Sequence, residues 1–127
     1  MSGFQRFEDI EAWQLGRELT QRVYATSRER AFARDYALRD QIRRAAISIT
    51  SNIAEGFERR TRTEFCRFLD IAKASNAEVR SQLYVALDEA YLSTDDFDAL
   101  YDLSTRVGRK IGGLLRYLRS TDRPTPN

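Results

Sequence analysis

The chain has no histidine, one cysteine (Cys66) and two prolines, and both prolines, Pro124 and Pro126, lie in the last four residues. Each shortage excludes something. Without an imidazole there is no common general base, no common transition-metal ligand and no switch near neutral pH. A single thiol forbids an internal disulfide and any multi-cysteine zinc or iron–sulfur centre, and it suits a reducing compartment. No apolar stretch approaches the roughly 18 residues of a membrane span. The opening residues Met1-Ser2-Gly3-Phe4-Gln5-Arg6 lack the apolar run of a signal peptide. A cytoplasmic chain with no membrane association is expected, with no metal and no cofactor.

What remains is a helix-permissive body. Residues 4–123 contain no proline, so apolar spacing alone decides where helices occur. The length of 127 residues fits one domain able to bury a core, and 42% hydrophobic with 31% charged residues is globular. The spacing predicts four helices. The first covers residues 8–27, with Ile10, Trp13, Leu19, Val23 and Tyr24 on its apolar side. The second covers 36–59, with a stripe of Leu38, Ile42, Ala45, Ile49 and Ile53. The third begins at Thr61, where Thr61-x-x-Glu64 reads as a capping box, and runs to 91 through Phe65, Phe68, Ala72, Ser75, Val79, Leu83, Ala86 and Ala90. The fourth covers 94–120, with Phe97, Leu100, Leu103, Val107, Ile111, Leu114 and Leu118. Short connections (28–35, residue 60, 92–93) make neighbours antiparallel. The expected fold is all-α, an up-down-up-down four-helix bundle over residues 1–120 with a frayed tail at 121–127.

The second helix carries no charge from Ala45 to Ala54. A bundle helix normally shows a charged outer face. At about 100° per residue, Ile47 and Ala54 fall away from the core stripe, and Gln41, Arg44, Ser48, Asn52 and Glu55 form a separate polar line. With Ser51 these residues are candidates for a subunit interface, since small and amide-bearing residues permit close approach. A helix buried deeply inside its own bundle gives the same pattern. Arg44 with Asp40 and Glu55 with Arg59 are spaced as (i, i+4) ion pairs.

The stretch Gln41-Ile-Arg-Arg-Ala-Ala-Ile-Ser-Ile-Thr-Ser-Asn-Ile-Ala-Glu-Gly56 resembles the signature of a bacterial four-helix-bundle family that includes proteins encoded by 23S rRNA intervening sequences. Phe7-Glu8-Asp9-Ile10 with Ala12-Trp13-Gln14 resembles that family's opening, and Phe68-Leu69-x-Ile71-Ala72-x-Ala74-Ser75-x-x-Glu78 its third-helix motif. The resemblance spans about residues 4–120. Thr50 stands where the family usually has proline, and Ala74 where it often has glycine. The resemblance implies a ring-like homopentamer. The chain is also similar to the accessory protein of diversity-generating retroelements, which implies nucleic acid and a reverse transcriptase as partners.

Enzyme chemistry finds little support. A di-iron bundle site wants Glu-x-x-His, which this chain cannot supply. Cys66 has no histidine to raise its nucleophilicity and reads as a small buried hydrophobe. Gly112-Gly113 stands alone in an apolar helix pattern and reads as a close-packing or bending point rather than a phosphate loop. Asp95-Asp96 sits at a helix start, where negative charge is favoured.

Charge is more informative. The 21 basic residues include only two lysines, Lys73 and Lys110, so 19 are arginine, the residue best suited to phosphate forks. The net charge of +2 conceals −5 over residues 71–104 and +5 over 105–127. Arg106, Arg109, Lys110 and Arg116 share a sector of about 120° on the fourth helix, and Arg59, Arg60 and Arg62 cluster at the junction of the second and third helices. These seven are the candidate RNA- or DNA-binding residues. Helix-dipole matching produces similar segregation. The expected function is a non-enzymatic homo-oligomeric scaffold or adaptor that holds nucleic acid. The alternative is a protein-binding module using the acidic stretch 88–102 or the second-helix face.

Overall fold

The structure, a computed structural model, describes residues 3–121. Five helices follow one another: α1 (Glu11–Ser27), α2 (Arg30–Arg34), α3 (Tyr36–Phe57), α4 (Arg62–Asp88) and α5 (Thr94–Thr121). Among the described residues there is no strand. Each long helix packs on two others in the order α1, α3, α4, α5 and back to α1, which gives a four-helix bundle. The cross-chain pairs descend one helix as they climb the next. Ser48 meets Ser75 while Gln41 meets Gln82, and Asp70 meets Arg119 while Asn76 meets Ser104. Gly16 lies over Thr50 while Thr20 meets Ala46, so α1 and α3 also run in opposite directions, and consecutive long helices are antiparallel. Ile49, Ile53, Phe65, Leu69, Val79, Leu83, Ile111 and Leu118 are fully buried at the centre.

The expected boundaries shift for local reasons. The first α-helix starts at Glu11 rather than residue 8, because a 3-10 turn, Phe7–Asp9, precedes it. Asp9 Oδ2 accepts from the amides of Gln5 (3.2 Å) and Arg6 (3.3 Å), a side-chain claim on the backbone that favours a turn over a helix. The second long helix ends at Phe57, not residue 59. The third ends at Asp88, not 91, since Ala90 takes a positive φ of 60° and closes the chain toward α5.

Residues 28–35, expected as a plain connection, contain α2. Its anchor is Phe32, buried and stacked on Tyr91 with ring centres 5.3 Å apart. Asp35 then caps α3 by accepting from Leu38 N (3.1 Å) and also takes the Tyr91 hydroxyl proton in a 3.0 Å hydrogen bond. That bond, donated to a carboxylate, raises the Tyr91 phenol above its ordinary value.

The Thr61 cap forms by half. Thr61 Oγ1 accepts from Glu64 N (3.1 Å), while the Glu64 carboxylate is held by Arg67 at 3.0 and 3.2 Å. On α5, Leu115 is buried where Leu114 was expected, and Leu114 packs half-buried at the edge of the core. α5 extends to Thr121, and the expected tail from 122 onward lies outside the described residues.

The most extensive helix contact is between α3 and α4. A Cβ at Gly56 would sit 2.7 Å from Phe68 Cβ and 3.0 Å from Phe65 Cδ1, so glycine is what lets these rings close on α3. Gly112 and Gly113 play no such part. Their nearest approach is the Arg116 guanidinium, at 3.6 and 3.8 Å from the Cβ positions. Between α4 and α5 a buried polar pair interrupts the apolar layers. Ser104 Oγ donates to Asn76 Oδ1 (2.7 Å), and Asn76 Nδ2 donates to Ser104 O (2.9 Å).

Candidate interaction surfaces

The uncharged run of α3 divides into two faces. Gln41, Ser48 and Asn52 turn toward α4 and are used within the chain. Ser75 Oγ donates to Ser48 Oγ (2.8 Å), Asn52 Nδ2 donates to Ser48 O (2.8 Å) and Oγ (3.0 Å), and Gln82 Nε2 reaches Gln41 Oε1 (3.4 Å). Ile47 and Ser51 face outward, with Ile47 41% exposed, Ala54 half-buried, and Arg44 and Glu55 on the flanks. Helix α4 adds Ile71 and Val85, both exposed; they lie about 40–80° beyond the Ser75–Gln82 line at about 100° per residue. The outer face of the α3·α4 pair thus presents Ile71 and Val85 with Glu78 and Arg44 among its polar residues, while Ile47 lies about 100° around α3 from the Ser48 line, on the side of Thr50 and α1. Gln82 Oε1, on its border, is buried and has no hydrogen-bond donor among the described residues.

The expected ion pairs on α3 take other partners. Asp40 is bound by Arg39 (2.9 Å) rather than Arg44, and the Arg59 guanidinium lies 4.6 Å over the Phe68 ring rather than on Glu55. Asp40 is taken by its immediate neighbour in the chain, and Arg59 is drawn across the α3–α4 turn to the Phe68 ring.

The arginine clusters are less basic in three dimensions than in sequence. At the α3–α4 turn, Arg59 and Arg67 sit on Phe68 at 4.6 and 4.7 Å, Arg60 is exposed and Arg62 is half-buried. Glu55 and Glu58 share a shallow recess with Arg59, and Glu64 is tied to Arg67. The hydrogen bond from Arg67 holds the Glu64 carboxyl below its usual range. On α5, Arg106, Arg109 and Lys110 line a groove of about 820 Å³ against α1, where they meet Glu11 and Glu18. Lys110 Nζ is 2.7 Å from Glu11, and that contact lowers the Glu11 carboxyl. Three cations against two carboxylates leave a mixed-charge groove. Arg116 is exposed and lies apart from it, over Gly112 and Gly113.

Sequence reasoning passed over the other flank of α1. Trp13, Arg17, Tyr24 and Arg28 recur at helical spacing and line a separate groove against α3. Their signal was aromatic and basic residues alternating along one helix stripe, a pattern hidden because Trp13 and Tyr24 also read as core. Among the described residues no cluster of His, Cys, Asp and Glu could hold a metal ion, and no helix is long and apolar enough to cross a membrane.

The comparisons agree with this architecture. A protein of unknown function from the S23 ribosomal protein family of Bacteroides thetaiotaomicron VPI-5482 has a solved structure with a TM-score of 0.77 to this chain, 19% sequence identity, and coverage of 83% of this chain and 95% of that one. At that identity the likeness speaks for the helical bundle alone. No curated protein sequence matches the chain. A family model described as "23S rRNA-intervening sequence protein" matches residues 8–113, which takes in α1 through α4 and most of α5. With the bundle and its signature stretch in place, the chain belongs to the 23S rRNA-intervening sequence protein family.

Proposed function

We propose that the chain is a non-enzymatic, cytoplasmic scaffold that assembles through the outer face of α3 and α4 and presents repeated basic surfaces to nucleic acid. The observation that carries this reading is the uncharged stretch of α3, which leaves Ile47 and Ser51 facing out, with Ile71 and Val85 exposed on the neighbouring α4. A stable interface takes about 800 Å² from each partner, and aliphatic side chains ringed by polar ones match its usual anatomy. The family resemblance supports a homopentamer as the form of that assembly.

Repetition matters for the partner. A ring multiplies each weak arginine patch, and multivalency raises avidity through effective concentration without new contacts. The family description and that of the solved neighbour name 23S rRNA and a ribosomal protein family, so RNA is the first partner to test.

Light scattering on a sizing column tests the assembly. The expected mass is a multiple of 14.7 kDa. Ile47→Arg places a charge on an exposed position and should dissociate the assembly without unfolding the bundle. A wild-type mass of one chain refutes the scaffold. An intact oligomer of Ile47→Arg moves the interface to another face. Recovery of one stoichiometric protein partner that survives nuclease favours the protein-binding module instead.

A further inference from the structure

The charges of α1 divide by side. Glu11 and Glu18 turn to α5, where Lys110, Arg106 and Arg109 meet them. Arg17 and Arg28 lie on the opposite flank, beside α3, in the order Trp13, Arg17, Tyr24, Arg28 along the helix. The groove there encloses about 470 Å³, and no carboxylate lines it. Arg43 of α3 joins the two rims. Its guanidinium lies 4.6 Å over the Tyr24 ring, and its Nε donates to Ser27 Oγ (2.8 Å). Arg17 stands 5.9 Å from the centre of Trp13, near the outer limit of a cation–π contact, so it covers that ring only loosely. Trp13 is fixed from the side by Phe7, edge to face at 5.2 Å. Among the described residues, none of Arg17, Arg28 and Arg43 is in a salt bridge.

Half-buried aromatic rings interleaved with uncompensated guanidiniums are the chemistry of single-strand recognition. Ring faces stack on unpaired bases, which a duplex does not offer, and arginine forks hold phosphates. From Trp13 to Arg28 the helix rises about 22 Å at about 1.5 Å per residue, enough for a strand of roughly four nucleotides. The hydroxyls of Thr20 and Thr50, in the groove walls, donate to Gly16 O (2.8 Å) and Ile47 O (3.0 Å). Thr20 Oγ1 also lies 3.3 Å from Ala46 O, and a hydroxyl that donates keeps acceptor capacity of the kind a ribose 2′-hydroxyl uses, the group that distinguishes RNA from DNA.

We propose that the groove between α1 and α3 binds single-stranded RNA, stacking bases on Trp13 and Tyr24 and holding phosphates with Arg17, Arg28 and Arg43. The inference rests on the nucleic-acid part of the scaffold reading, and it places the strand on a different surface from the arginines of α5 and of the α3–α4 turn.

Trp13 is the only tryptophan, so its fluorescence reports the site directly. The full chain is titrated with a 12-nucleotide oligouridine, beginning near 50 mM salt. Saturable quenching is expected, with log K falling against log salt at a slope of about −2, from three phosphate contacts at about 0.7 each. Arg17→Glu with Arg28→Glu, both at exposed positions, should weaken binding at least tenfold and flatten the slope to about −0.7. Tyr24→Leu should weaken binding with the slope unchanged, separating stacking from charge. Arg106→Glu with Arg109→Glu should leave quenching and slope intact.

Binding without quenching, or binding lost through the α5 variant but not the α1 variant, overturns the groove and leaves a nucleic-acid scaffold standing. Tighter binding of the matching oligodeoxyuridine overturns the choice of RNA. No RNA binding at all overturns the inference and the nucleic-acid part together. The mass from light scattering on the same samples judges the assembly separately.

Discussion

The hydrogen-bonded pair between α4 and α5 offers a stability measurement whose size follows from the structure. Asn76 and Ser104 are 1% and 0% exposed, so water does not replace a lost partner. Ser104→Ala removes the donor to Asn76 Oδ1. A buried acceptor left unpaired costs about 1–3 kcal/mol. Alanine regains roughly 0.5 kcal/mol through its higher helix propensity. The net loss is about 1–2 kcal/mol, or a Tm lower by roughly 4–8 °C for a chain of this size. Arg80 is the one local group able to intervene, since its NH1 already lies 3.5 Å from Ser104 Oγ. The substitution is therefore made in both the wild-type and Arg80→Ala backgrounds. Asn76→Leu combined with Ser104→Ala removes donor and acceptor together and should recover much of the loss, because two apolar partners leave nothing unpaired. Urea unfolding followed by circular dichroism gives the numbers, at two protein concentrations, because assembly makes apparent stability depend on concentration. A loss below about 0.5 kcal/mol in both backgrounds would show that the pair contributes shape and not hydrogen bonding.

Two further outcomes follow from other contacts. Gly56→Ala adds a methyl group 2.7 Å from Phe68 Cβ, and overpacking of about 1–3 kcal/mol outweighs the roughly 1 kcal/mol of helix propensity gained, so thermal melting should show a lower Tm. Tyr91 has a raised phenol in the folded chain because its proton is donated to Asp35. The stability this bond gives is present below the ordinary phenol value of about 10 and is lost as pH rises through the higher folded value. Melting curves of wild type and Tyr91→Phe should therefore differ at neutral pH and converge in strong alkali; a constant difference across that range would refute the assignment.

The long helices were legible because each carries its apolar residues three and four apart over many turns, as Leu38, Ile42, Ala45, Ile49 and Ile53 do on α3. Helix α2 was not, since five residues hold no period, and Phe32 is stacked by Tyr91, which arrives from the link between α4 and α5. Leu114 and Leu115 lie about 50° to either side of the centre of the α5 core stripe, so spacing alone does not choose the buried one. The basic sector of α5 was visible in the sequence, yet Glu11 and Glu18, which partly neutralise it, belong to a helix some ninety residues away. The outward position of Ile47 and Ser51 followed from helical geometry. The inward use of Gln41, Ser48 and Asn52 depended on what α4 brings opposite them.

The four residues 58–61 that join α3 to α4 also bear on the route by which the chain folds. Closing a link that short costs little chain entropy, and the pair it joins buries Ile49, Ile53, Phe65 and Leu69 against each other. The α3–α4 hairpin, with the larger shared core, is thus the expected nucleus. The docking of α1 on α5, from opposite ends of the sequence, carries the longest loop closure and comes last. Substitutions along the Ser48–Ser75 line should slow folding, while those beside Glu11 and Lys110 should chiefly quicken unfolding. The flank of α1 that carries Trp13 and Arg17 is then completed late, by a helix docking onto a hairpin already formed.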